Sequence, residues 1–138
     1  MDLYRKFIEE KRKAFDNFEG IGFAFSNKQF EEMLIKLNAG PKDLYDLGAG
    51  TFILKDRYQD LIDLSNYYDK KLNELMKDYN FALSGFIYEL SNHEYNITYD
   101  YDSTLEALNL TEEEINNSDV LLKAFKEARK TVIENSIY

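Results

Sequence analysis

The chain contains a single histidine, His93, set in the run Asn92-His93-Glu94 with Tyr88, Tyr95, Tyr99 and Asp100 nearby. An imidazole beside a carboxylate, with phenols in reach, is the material of general acid–base work near neutral pH. A small-ligand or enzymatic site built on His93, Glu94, Tyr88 and Tyr95 is therefore one expectation. The competing reading is a structural histidine at a helix end, bonded to backbone carbonyls, since consecutive residues often point apart. One histidine cannot supply a two-histidine zinc site, and His-Glu-x-x-His is absent. No serine lies in a nucleophile-elbow context. The chain has no cysteine, which removes disulfides, thiolate metal sites and cysteine nucleophiles. The pattern predicts no catalytic residue, no metal ligand and no cofactor.

His93 lies inside a larger anomaly. From Asp78 to Leu122 there is neither lysine nor arginine, yet ten carboxylates occur: Asp78, Glu89, Glu94, Asp100, Asp102, Glu106, Glu112, Glu113, Glu114 and Asp119. Spread evenly, the 17 basic residues of the 138-residue chain would place about five in a window of that length. Residues 1–55 carry nine acids and nine bases, residues 56–119 fifteen and four, and residues 120–138 two and four, which together make the net charge of −9. Such a surface repels nucleic acid and anionic lipid and attracts cationic partners. A pI of 4.6 likewise opposes the phosphate attraction on which nucleic-acid binding depends. Some of the acids have local reasons: Glu112, Glu113 and Glu114 fall in the first turn of a predicted helix, where negative charge favours the dipole. Nothing local requires the cations to be missing.

Two further motifs fail on inspection. Asp100-Tyr101-Asp102-Ser103 begins like a calcium loop, but position 6 is Leu105 instead of glycine and position 12 is Thr111 instead of glutamate. Gly48-Ala49-Gly50-Thr51 begins like a phosphate loop, but no Gly-Lys-Ser/Thr follows and the segment leads into a predicted strand. It is read as a hairpin turn.

The elements that must position these residues follow from periodicity. Apolar residues three and four apart predict an amphipathic helix over 2–19, and Ile21–Phe25 reads as a short buried strand. Ser26 with Gln29 forms a capping box opening a helix to about Leu37. Leu44–Leu47 and Thr51–Leu54 make a hairpin. A long helix runs from about Asp56 to Tyr79, with Asn80 and Ser84-Gly85 bending or breaking it, and a second piece covers about 82–92. Residues 95–99 alternate and are rich in β-formers, so they read as a strand. Ser103 with Glu106, and Thr111 with Glu114, are two more capping boxes, and the last helix covers about 119–135. The fold class is α+β: a mostly helical single compact domain, residues 1–138, with a small antiparallel sheet of three or four short strands. No run of 18 apolar residues exists, so no membrane span is expected.

Three segments together resemble a family of small uncharacterised proteins carried by phages and mobile elements of low-GC Gram-positive bacteria. They are Phe23–Phe30, Gly48–Ile53, and Tyr88–Tyr95 with Thr98-Tyr99-Asp100; the resemblance spans roughly 20–110. Ala49 stands where a third glycine is expected. The resemblance implies a cytoplasmic location in a bacterial host and supplies no catalytic residues. Combined with the charge, it leads to an expected function. The protein would be an interaction protein that binds and inhibits a basic, nucleic-acid-binding host defence factor, in the manner of an anti-CRISPR or anti-restriction protein and possibly as a nucleic-acid mimic. Its partner-binding residues would be Glu94, Asp100, Asp102, Glu106, Glu112, Glu113, Glu114 and Asp119, with Tyr99 and Tyr101 as aromatic anchors. The alternatives are the His93/Glu94 ligand site and a self-associating regulatory module that pairs through helix 56–79.

Overall fold

Helix starts are set by short polar side chains that accept the first free N–H groups. Ser26, Asp78, Thr111 and Ser118 each do so. In the computed structural model, which describes residues 2–136, the order is α1 (Leu3–Asp16), β1 (Ile21–Phe23), α2 (Asn27–Leu37), β2 (Leu44–Gly48), β3 (Thr51–Leu54), α3 (Tyr58–Leu75), α4 (Tyr79–Asn92), α5 (Tyr95–Thr98), α6 (Asp102–Ala107), α7 (Glu112–Asn116) and α8 (Asp119–Asn135). Single 3₁₀ turns occupy Pro41–Asp43 and Lys55–Arg57. The fold is α+β, mostly helical, with one three-stranded antiparallel sheet. The chain divides into two compact units, one formed by residues up to Arg12 and from Tyr68 onward, the other by Lys13–Tyr67.

In the unit of Lys13–Tyr67 the strand order is β1-β3-β2. Ile21 pairs with Ile53 and Phe23 with Thr51, while Leu44 pairs with Leu54 and a bulge follows Asp46. Ala24, Met33 and Leu44 are the buried centre, packed by Phe30, Leu34, Leu37, Phe52 and Leu54. Helix α2 presses closely on β1, since a Cβ at Gly22 would lie 2.4 Å from the Met33 side chain. The hairpin turn is held by Gly48, Ala49 and Gly50, all at positive φ (87°, 52° and 76°). Ala49 is the residue for which that conformation is costly.

The other unit is helical. α4 contributes Phe81, Ala82, Phe86 and Leu90 to its core, and α8 contributes Ala124, Phe125, Ala128 and Val132. Phe86 and Phe125 meet at 5.0 Å between ring centroids. The first part of α1 packs here too. The Tyr4 ring lies against Gly85, where a Cβ would come within 3.2 Å of it, and it meets Phe81 edge-on at 5.9 Å.

Several local expectations are overturned. Residues 95–99 are not a strand: Tyr95–Thr98 form one helical turn between two left-handed residues, Glu94 (φ 58°) and Tyr99 (φ 56°). β-propensity reflects fit to a sheet surface, and the sheet here draws only on residues 21–54. The long helix ends at Leu75, and α4 starts after Asp78, whose carboxylate accepts the Phe81 N–H at 3.0 Å. Ser84 and Gly85 do not break α4. The Ser84 hydroxyl accepts the Tyr4 N–H at 3.0 Å, and Gly85 makes room for the Tyr4 ring. Ser103 and Glu106 form no capping box, because α6 begins at Asp102 with Tyr101 in the N-cap position, and Asp100 accepts the Asp102 N–H at 2.9 Å. Gln29 closes its box on Phe25, not on Ser26: Phe25 N–H donates to its amide oxygen at 2.8 Å. Strand β1 is only half buried, with Gly22 and Ala24 inside and Phe23 and Phe25 outside. Thr111 with Glu114 is a true reciprocal box.

Candidate functional site

His93 does not meet Glu94. It closes the C-terminus of α4, its backbone N–H bonded to the Glu89 carbonyl at 3.0 Å. One turn back, the buried Glu89 carboxylate lies 3.6 Å from His93 Nε2. The other Glu89 oxygen accepts the Tyr4 hydroxyl at 2.6 Å, in the buried interior. Burial, and then this hydrogen bond to a carboxylate, push the Tyr4 phenol far above its ordinary range. Arg5 stacks on the Tyr88 ring at 5.6 Å, and Tyr88 packs on Tyr4 at 5.4 Å. Burial works against the Asp2 charge, yet bonds from the Ser84 hydroxyl and the Arg5 N–H hold its carboxyl below the usual value. Together these contacts fasten the start of α1 to α4. One oxygen of Glu89 is thus engaged by the Tyr4 hydroxyl, and the other lies near the His93 ring. Of the predicted ligand residues, Tyr95 is buried and packs its ring edge-on to Tyr99 at 5.8 Å, while Glu94 is exposed at a left-handed turn. Among the described residues the His93 ring lies by Glu89, and Tyr88 packs with Arg5 and Tyr4.

The predicted partner-binding acids separate into two groups. Asp100 is used in its own turn, Glu112 accepts the Tyr101 hydroxyl, and Glu114 accepts Thr111 N–H and Oγ1, each at 3.1 Å. Asp78 and Glu89, the remaining members of the cation-free window, are also engaged. Glu94, Asp102, Glu106, Glu113 and Asp119 are exposed. Tyr99 is also exposed, at 62%, as is Ile97 at 69%. Tyr101 is half-buried: its ring meets Phe125 edge-on at 5.1 Å, and its phenol is pushed up by the bond to Glu112 and then by burial.

The window also receives cations from outside itself. Arg129 of α8 lies over the Phe125 ring at 4.5 Å and the Tyr101 ring at 5.8 Å. Lys123 lies over Tyr79 at 5.7 Å. Charge that is segregated along the chain is therefore partly remixed in space. Among the described residues, no group of three or more His, Asp or Glu is placed to hold a metal ion, and no helix is long and apolar enough to cross a membrane.

A family model described as a family of unknown function, DUF7659, matches residues 3–131. The chain belongs to that family. No curated protein and no solved structure matches it. For this DUF7659 chain the functional reading therefore rests on its own surfaces. Sequence reasoning missed Tyr4, Glu89 and Arg129 as members of the clusters around His93 and Tyr101. For Glu89 a signal was present, because an acid four residues before His93 shares its face on a helix. Tyr4 is 85 residues from Glu89, and no local pattern links them.

Proposed function

We propose that this is an interaction protein that docks a basic partner on the acidic surface of residues 94–119. The observation that carries the proposal is that five carboxylates, Glu94, Asp102, Glu106, Glu113 and Asp119, are exposed in the same stretch of chain as the exposed Tyr99 and Ile97. Charged groups of one sign steer encounter, and an exposed aromatic ring supplies contact area at small entropic cost. In its finer form the partner is a nucleic-acid-binding host defence factor and the protein a phage or mobile-element inhibitor. Carboxylates spaced on short helices would then stand in for phosphates. Support for that form comes from the charge and from the sequence resemblance.

The structure refines the choice of test. Reversing charge at Glu112 or Glu114 would also remove the Tyr101 bond or the α7 cap, so those positions confuse binding with folding. Glu94→Lys, Glu106→Lys and Glu113→Lys act on exposed side chains. The combined variant is expected to fold normally and to lose capture of a basic protein from host lysate at low salt. Wild-type capture should fall steeply as salt rises. Equal capture by the variant and the wild type would end the proposal.

A further inference from the structure

We propose that the open edge of β1 is a docking site for an extended, largely apolar peptide segment of a partner protein, which joins the sheet as a fourth strand. The register supplies the first reason. Leu54 N–H donates to the Gly20 carbonyl and Ala24 N–H to the Gly50 carbonyl, each at 2.9 Å. With Gly22 opposite Phe52, this puts Gly20, Gly22 and Ala24 in phase toward β3. In an antiparallel pair the intervening residues turn their N–H and C=O the other way. The main-chain groups of Ile21 and Phe23 therefore face outward, and among the described residues they have no hydrogen-bond partner.

The second reason is the contrast between the two edges of one sheet. β2 carries a bulge after Asp46, and Asp46 accepts the Gly48 N–H at 2.8 Å. Bulges and edge charges are devices against strand addition. The segment Ile21-Gly22-Phe23-Ala24-Phe25 has no charge and no proline, and β1 pairs with β3 without a bulge.

The third reason is a groove of about 640 Å³ beside that edge, with Ile21, Gly22 and Phe23 on one side and Met33, Lys36 and Leu37 of α2 on the other. Phe23 and Ile35, both on this groove, are 63% and 81% exposed. Unpaired main chain flanked by large apolar side chains fits a strand with apolar residues at alternate positions. Glu32 and Lys36, one turn apart on the helix wall, balance each other. The groove thus suits an uncharged or mixed-sign segment, unlike the basic partner of the acidic surface. A second copy fits less well: its own β1 is three residues long, shorter than the segment a peptide can lay along the groove.

Selection of displayed random nine-residue peptides on the intact protein tests this. Enriched peptides should alternate apolar residues, and a synthetic copy should slow hydrogen exchange at the Ile21 and Phe23 amides. Phe23→Pro removes one outward N–H at an edge position that tolerates proline. Ile35→Glu changes only an exposed side chain of the wall. Each should weaken the peptide by about tenfold or more, and N-methylation of alternate peptide nitrogens should abolish binding in one phase only. If Phe23→Pro does not fold, Ile35→Glu and the methylated peptides decide. The proposal is overturned if no peptide is enriched, or if bound peptide leaves those two amides exchanging freely. It is also overturned if the free protein sediments as a dimer with them already protected, which assigns the edge to a second copy.

Discussion

The acidic stretch of α4 to α8 and the short strand β1 use their hydrogen-bonding groups in opposite ways. In the acidic stretch, half of the carboxylates that look available are spent internally: Asp78 caps α4, Glu89 holds Tyr4, Asp100 closes a turn, Glu112 holds Tyr101 and Glu114 closes a capping box. At β1, a run with no charged residue leaves the main-chain groups of Ile21 and Phe23 without a partner among the described residues, beside exposed apolar side chains. Composition drew attention to the first region and away from the second. Availability, however, is decided by what a group already touches, since a bonded carboxylate has less to offer a partner than a free backbone amide.

The sharpest way to break this contrast is to remove Tyr4. Tyr4→Ala should cost about 3–5 kcal/mol in urea unfolding, because a buried aromatic is lost and Glu89 is left without its donor. A cost below about 1 kcal/mol would mean that Glu89 is not structural, and would leave its carboxylate beside His93 free to serve a ligand. Tyr4→Phe keeps the ring and deletes only the bond, so about 1–3 kcal/mol is expected. It should also change the alkaline limb. The Tyr4 phenol is raised above its unfolded value of 10.0, so its contribution is whole below about pH 10 and falls as pH rises further. The wild type should lose stability over that range, and Tyr4→Phe should lose less of it.

Two smaller substitutions sharpen the other side. Ala49→Gly relieves a left-handed alanine in the hairpin and should stabilise the protein by about 1 kcal/mol in thermal or urea unfolding. No gain would show that the turn is held by more than its φ. Thr104 is fully buried, and its hydroxyl has no partner among the described residues. Thr104→Val should therefore be neutral or stabilising by up to about 1 kcal/mol, whereas a clear loss would reveal a partner for that hydroxyl.

Much of the fold is legible in the residues. The helix of 119–135, the hairpin around Gly48–Gly50 and the caps at Ser26 and Thr111 appear where local chemistry predicts them. Each depends on neighbours within about four positions, which a linear reading sees. The failures share a cause. Residues 95–99 have strand-like composition but no ladder to join, and Ser84-Gly85 have breaker composition but receive Tyr4.

The same division runs through the candidate surfaces. The chain by itself determined the α+β class, the excess of acid over base and the absence of cysteine chemistry, because composition and short-range periodicity carry those. Only tertiary structure decided that His93 faces Glu89 and not Glu94, that Arg129 reaches into a stretch without cations, and that β1 ends the sheet with its edge open. Each of these is a contact between residues whose side-chain direction or distant partner is set by packing. Adjacency in sequence says little about which way a side chain points, and nothing about what arrives from 80 residues away.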